Sequence, residues 1–416
     1  MKAMTISQTD RQTDRQTDRQ TDRQTDRQTD RQHHRIEELD IIKALAIIFM
    51  VAGHADAPFS HFIYLFHMAV FYMVSGFLYS EKNSFNFNTV MEFVWRKIKS
   101  LWLPFFVCSA FFVIFNNVFI RLNIYTGNEA ALAYITKEHV VIHSYIGFEQ
   151  TLKEILKCVF FNNNSELGGA FWFIRDLFII SIAYCVLSFV IKKSCQVFHS
   201  NEKVTYKVID IVQLVISILA LAVGYYFSVK GIAFGGVGKI GSCYSLFYIG
   251  HLLGSRFKDK LCMLNGWKWL VIIIITFFLL MVMNHRGSIS IANNRYENPL
   301  FLIACSLLGW LWLYGLAFLT QRLKNAQVTY PIYNLLLYIG QHTIAIVLLH
   351  FLAFKIVNAI ACAYYDYPTY CMAAFPTLSG GIGAWWILYT IIGLAIPLLA
   401  YGCYFWVKQI IIRKIG

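Results

Sequence analysis

Beyond residue 38 the chain falls into long apolar blocks separated by polar connections. A helix rises about 1.5 Å per residue, so crossing the roughly 30 Å hydrocarbon core of a bilayer takes about 20 apolar residues. Ten blocks approach that length: 39–57, 62–80, 101–120, 171–191, 208–228, 240–255, 268–284, 299–320, 333–355 and 385–407. The sixth is short and contains glycine. The connections alternate in charge. Seventeen Lys and Arg fall on one side, beginning with Lys82, Arg96, Lys97 and Lys99, and eight are spread over the longer loops of the other. Basic residues accumulate in cytoplasmic loops. The pattern therefore predicts an all-α polytopic membrane protein with about ten transmembrane helices and both termini cytoplasmic. The longest external connection, 121–170, holds an amphipathic piece at 150–161 and the polar run Asn162, Asn163, Asn164.

Composition narrows the class. Of 416 residues, 57% are hydrophobic and only 14% charged, whereas soluble domains carry roughly 25% charged residues. Such a chain cannot cover a water-facing surface with polar groups, which excludes a soluble enzyme, a secreted disulfide scaffold and a nucleic-acid-binding domain. The formal charge of +13 then reports cytoplasmic loops and contact with the lipid bilayer rather than binding to nucleic acid. The ten Cys are scattered, mostly in apolar runs, with no Cys-x-x-Cys pair. They read as small core residues, and no metal site is expected. Only Cys362 and Cys371 share an external loop where a bridge is conceivable.

Residues 1–34 form a separate tail ahead of the 35–416 membrane domain. Positions 8–31 are six copies of Gln-Thr-Asp-Arg. Each copy is neutral and has no apolar face, so the tail is expected to be disordered. No signal peptide is expected, since no apolar stretch precedes residue 39. The repeat can be encoded as CAG ACA GAC AGA, a CAGA tetranucleotide that returns to frame every four residues. Such tracts slip during replication, which suggests a phase-variable on/off switch of the gene; a low-complexity linker is the alternative.

Ionisable groups inside a span are costly and need a reason. The first span holds Asp40, Lys43 and His54. Lys43 and His54 lie eleven residues apart, about three turns and about 16 Å along one helix face. Asp40 is one turn before Lys43 and within pairing reach. A plainer reading is an interfacial lysine that snorkels and a histidine that ends the helix.

These residues carry a resemblance. Arg35-Ile-Glu-Glu-Leu-Asp40-Ile-Ile-Lys43, followed by Gly53-His54, resembles the opening signature of the integral-membrane acyltransferase-3 family, a basic residue, ten residues, then His. The Lys in place of the commoner Arg is similar to the branch of fucose 4-O-acetyltransferase-like glycan O-acetyltransferases. Phe66-His67-Met68 through Ser75-Gly76-Phe77 resembles the family's next motif, as do Trp95-Arg96-Lys97 through Leu103-Pro104, Trp172 through Phe178, and Leu349-His350-Phe351. The likeness covers about 35–411. Ala44, where Gly is usual, and Ala69, where Pro is frequent, depart from the pattern without removing a reactive group.

The resemblance implies transfer of an acyl group, typically acetyl from acetyl-CoA, to a carbohydrate hydroxyl of a surface or exported polysaccharide or lipopolysaccharide at the bacterial inner membrane. His54 is then the candidate base or acyl carrier, since imidazole titrates near neutrality. Lys43 and Asp40 would orient the helix face or meet the donor, and His67 would contact the same cavity; a structural histidine is the alternative. Arg96, Lys97 and Lys99 are candidate holders of the CoA phosphates, or else plain cytoplasmic anchors. Trp172, Arg175 and Asp176, Arg295 in the polar loop 285–298, and His350 are candidates for the glycan acceptor. A multi-span transporter and an acyl-group translocator without transferase activity are the competing functions. No internal symmetry of the kind transporters show is visible.

Overall fold

The computed structural model describes residues 37–127, 142–162, 165–197, 201–232, 236–325, 327, 329–378 and 383–415. The Gln-Thr-Asp-Arg repeat lies outside them. In chain order the helices are α1 Glu37–His54, α2 Ser60–Tyr64, α3 His67–Phe77, α4 Phe87–Lys97, α5 Leu103–Ile114, α6 Asn116–Arg121, α7 Phe148–Val159, α8 Phe171–Val197 and α9 Glu202–Lys230. There follow α10 Val237–Leu252, α11 Lys258–Cys262, α12 Gly266–Arg286, the two-residue strands β1 Ile289–Ser290 and β2 Arg295–Tyr296, α13 Pro299–Thr320, α14 Tyr330–Gln341, α15 Thr343–Tyr364 and α16 Trp385–Ile415. The fold is all-α and polytopic. Among the described residues eight helical segments, with α2–α3 and α4–α5 each counted as one, are long and apolar enough to cross a membrane. The other two predicted spans are α1, whose 18 residues include five ionisable groups, and α10, which has 16 residues.

Two predicted spans differ in extent. The span expected at 101–120 begins at Phe87, runs through α4, a wide turn at Ile98–Trp102 and α5, and ends at Ile114. It stops there because Asn116 and Asn117 donate to the carbonyls of Ser144 and Ile146, at 3.0 and 2.8 Å, and so tie the loop back. The span expected at 333–355 is two helices. The polar run Gln341-His342-Thr343 breaks it: His342 leaves helical geometry and its Nδ1 donates to Tyr338 O at 2.7 Å. The long helix is α15, which reaches Tyr364 and puts Lys355 at mid-helix rather than at an end.

α1 sits at the centre, in contact with α2, α3, α13, α14, α15 and α16. Ile41, Ile42, Ala44, Ala46, Ile47 and Val51 are all fully buried, and no residue of this helix is exposed, Leu45, Ile48 and Phe49 being half-buried. Close backbone approach makes this possible. A Cβ at Gly340 of α14 would lie 1.8 Å from the Asp40 carbonyl oxygen. Small residues at such crossings let helices pack without a hydrophobic driving force between them. Of the cysteines with described side chains all are free, Cys362 and Cys371 included; those two share one small buried cluster without a bridge.

Candidate active site

His54 is the last residue of α1 and lines a cavity of about 790 Å³. The cavity floor is built by α1 and α3, through Met50, His54, His67 and Met68. Its walls come from Phe161, Asn162 and the 165–175 segment, Val347 and Phe351 of α15, and Phe375 and Pro376. The hairpin residues Ile289–Asn293 close it on one side. That hairpin is pinned: Asn294 donates to Gly224 O at 2.8 Å and accepts from the Ser242 hydroxyl at 3.0 Å, while the Tyr296 hydroxyl lies 2.9 Å from the same Ser242 oxygen.

Three imidazoles meet here. The His54 ring stacks on His350 at 5.5 Å between centroids and packs against Phe351 at 5.0 Å. His350 is fully buried behind His54 and is not itself among the cavity-lining residues. His67 lines the cavity beside Tyr64, ring to ring at 5.3 Å. His67 Nδ1 lies 2.9 Å from Ile63 O, and His350 Nδ1 lies 2.9 Å from Ile346 O. A carbonyl only accepts, so both rings carry a hydrogen on Nδ1, and the Nε2 of His350 is buried without a partner among the described residues. His54 has no hydrogen-bond partner among the described residues, which leaves its ring free to exchange a proton with a bound molecule. Tyr64 holds the end of α1 in place by donating to Gly53 O at 2.9 Å.

Two charged groups flank the cavity. Glu166 lines it, with Lys355 as its counter-ion at 3.4 Å; both are nearly fully buried. Lys355 also donates to the carbonyls of Ala373 and Ala374 at 2.8 and 2.9 Å, which fastens the 369–378 segment over the cavity. On the other wall Arg175 Nε and Lys239 Nζ lie 2.8 and 3.5 Å from opposite oxygens of Asp176. Trp172, Arg175 and Lys239 line the cavity, whereas Asp176 is fully buried behind them. Outside the bundle, His143 stacks on Tyr125 at 3.9 Å, and the Tyr125 hydroxyl bonds to Ser165 on the cavity wall. Burial, aided by the charge of Lys355, pushes the His143 imidazole down to about 4.

The remaining expected site residues lie elsewhere. Asp40 and Lys43 form an ion pair at 2.7 Å. They belong to the opposite end of α1, about 16 Å from His54 along its axis, and do not line the cavity. Arg96, Lys97 and Lys99 cluster at that same end: Arg96 donates to Asn83 Oδ1 at 2.6 Å, and Lys97 and Lys99 lie over the rings of Phe93 and Trp95. Arg295 is exposed in β2, and the hairpin meets the cavity through Ile289–Asn293 instead. Glu81, Asp210 and His251, also at the Glu37 end, bring ligand-type atoms within 4.8 Å of one another, but Arg256 already pairs with Asp210. Sequence reasoning missed Glu166, Lys355 and Tyr64, and left Lys239 without a role. A lysine inside the apolar run Phe351-Leu-Ala-Phe-Lys355-Ile-Val was the signal available for one of them.

Residues 36–405 match the family model of an acyltransferase domain, acyltransferase family 3. No curated protein and no solved structure gives a significant match to the chain. The family match spans all the elements that build the cavity. The chain belongs to the acyltransferase-3 family of membrane acyltransferases.

Proposed function

We propose that the protein is an O-acetyltransferase that moves acetyl from acetyl-CoA to a hydroxyl of a cell-surface or exported polysaccharide, with His54 at the reacting centre. The observation that carries this reading is an imidazole without a hydrogen-bond partner among the described residues, at the end of a buried helix, facing a 790 Å³ cavity. That volume falls in the range of small-ligand sites, roughly 300–1,000 Å³. Removing a proton from a sugar hydroxyl needs a base poised near neutrality. His54 takes that proton directly or carries the acetyl group first. His350 and His67, each with a hydrogen fixed on Nδ1, keep a polar setting around it.

In this reading the Glu37 end of the bundle is cytoplasmic, as the distribution of basic residues requires, and the protein sits in the bacterial inner membrane. Arg96, Lys97 and Lys99 lie where a cytoplasmic donor arrives, and their charges suit the CoA phosphates. The Lys43–Asp40 pair stands between that end and His54. The acceptor enters from the opposite face, past the 289–296 hairpin. Slippage of the tetranucleotide repeat would switch surface acetylation on and off, and a gene sequence with mixed synonymous codons in the repeat would remove that idea.

The test is transfer of radiolabelled acetyl from acetyl-CoA to glycan by the purified full-length protein in nanodiscs. His54→Ala is expected to lower transfer about 10²- to 10⁴-fold, the range for loss of a general base. Transfer unchanged by this substitution overturns the assignment. Label that crosses the membrane in proteoliposomes without reaching glycan points to an acyl translocator instead.

A further inference from the structure

The two sides of the cavity differ in charge. Glu166 has its own counter-ion in Lys355, so that side is balanced. On the hairpin side two cations, Arg175 and Lys239, line the cavity and share a single carboxylate, Asp176, which lies behind them. Asp56, the next acidic residue on the chain beyond His54, is engaged on the far side by the Thr377 hydroxyl at 2.8 Å. Among the described residues the Arg175–Lys239 wall therefore carries one positive charge in excess.

Both cations are held in place. Lys239 Nζ sits 4.1 Å from the centre of the Trp172 ring and donates to Ala292 O at 3.2 Å. Trp172 and the hairpin thus aim the ammonium rather than leave it to wander. Arg175 spends its Nε on Asp176, and its terminal nitrogens have no hydrogen-bond partner among the described residues. Gly236, at φ +80°, gives that end of the guanidinium its space, since a Cβ there would lie 2.6 Å from Nη2. A guanidinium fork and an ammonium side by side match the oxygens of a carboxylate or phosphate, and their pull on an anion strengthens where water is scarce.

From this we infer that Arg175 and Lys239 recognise a negatively charged group, a carboxylate or phosphate, on the acceptor saccharide. The inference rests on the proposed transferase reading for the word acceptor. The same chemistry is present in the phosphates of CoA, but a basic cluster suited to those lies at the opposite end of the bundle, at Arg96, Lys97 and Lys99.

The experiment measures binding, apart from transfer, of glucuronic acid, glucose 6-phosphate and glucose to the full-length protein in nanodiscs. The charged sugars are expected to bind at least about ten-fold more tightly than glucose. Lys239→Met is expected to reduce that preference to below about three-fold, Lys239→Arg to retain it, and Asp176→Asn to raise it by removing the shared carboxylate. A gain in Asp176→Asn is an outcome that damaged packing would not produce. Equal binding of charged and neutral sugars overturns the inference. So does a Lys239→Met protein that loses affinity for CoA but not for pantetheine while its sugar preference stays intact, because the wall would then be reading the donor. A protein that prefers charged sugars yet transfers no acetyl refutes the proposed function and leaves the charged-ligand site standing. Transfer to neutral and charged sugars alike does the reverse.

Discussion

Helices α1 and α12 are both single rods of the bundle, of 18 and 21 residues, and they are built on opposite terms. α12 is apolar along nearly its whole length, yet only Trp269, Thr276 and Leu280 of it are buried in the protein; Ile274, Ile275, Phe278 and Val282 face outward. α1 carries Glu37, Glu38, Asp40 and Lys43 in its first two turns and is packed against six other helices. Lipid and protein interior make different demands. A helix that meets lipid must be apolar, whereas one shielded by its neighbours can keep ionisable groups where each finds a partner. In this molecule the lipid-facing helix is scaffold, and the proposed reacting group sits on the helix enclosed by protein.

The same contrast orders the consequences of substitution. The largest effect on stability is expected at Lys355, an ion inside the apolar helix α15. Lys355→Met removes the ammonium from a buried pair and strips two hydrogen bonds from the segment over the cavity. Breaking a buried pair from one side costs about 3–5 kcal/mol. Thermal unfolding in detergent should show that loss, and Lys355→Met combined with Glu166→Gln should recover a good part of it, because the stranded carboxylate is then neutral. A single variant as stable as the parent would show that burial of this charge is not what holds the outer segment.

That pair also marks how far the sequence could be read. His54 and His67 were legible because an imidazole in an apolar run is costly enough to need an explanation, and because their spacing and neighbours match a family motif. The Asp40–Lys43 pair followed from helical periodicity alone, and it forms. Lys355 was hidden by a boundary error: with the break at His342 unseen, it read as the last residue of a span ending in the headgroups. Glu166 was hidden for a different reason. It lies in the short turn Glu166–Gly168 before α8, and its partner is 189 residues away, a distance no local pattern bridges. Arg295 shows the converse. It stood in a dense polar cluster, but strand alternation in a two-residue hairpin leaves it exposed while the backbone around Ala292 reaches the cavity.

A smaller effect separates centre from periphery directly. Gly340→Ala places a methyl group 1.8 Å from the Asp40 carbonyl, so α14 and α1 must move apart. Overpacking of this kind costs about 1–3 kcal/mol, and because α1 carries His54, acetyl transfer should fall with it. Phe278→Ala, on the outward face of α12, is expected to change unfolding by no more than about 0.5 kcal/mol and to leave transfer unaltered. Equal penalties at the two sites would break the comparison, since Phe278 would then be covered by something other than lipid.

The smallest effect concerns a group that is neither in the central helix nor on the lipid face. His143 lies in the loop beside the cavity, stacked on Tyr125, and its Nε2 is buried without a partner among the described residues. Burial holds its folded pKa at about 4, below the ordinary 6.5. Above 6.5 the ring is neutral in both folded and unfolded chains and contributes no pH dependence. As the pH falls from 6.5 towards 4, the unfolded chain takes up a proton that the folded protein refuses, so stability declines through that window and levels off below it. His143→Phe keeps the stack without the titration. The midpoint of thermal unfolding of the parent should therefore fall more steeply between pH 7 and pH 5 than that of the variant. Parallel curves for the two proteins would place His143 in water, and the cavity wall at Ser165 would then lack the buried support that the bundle gives to its other sides.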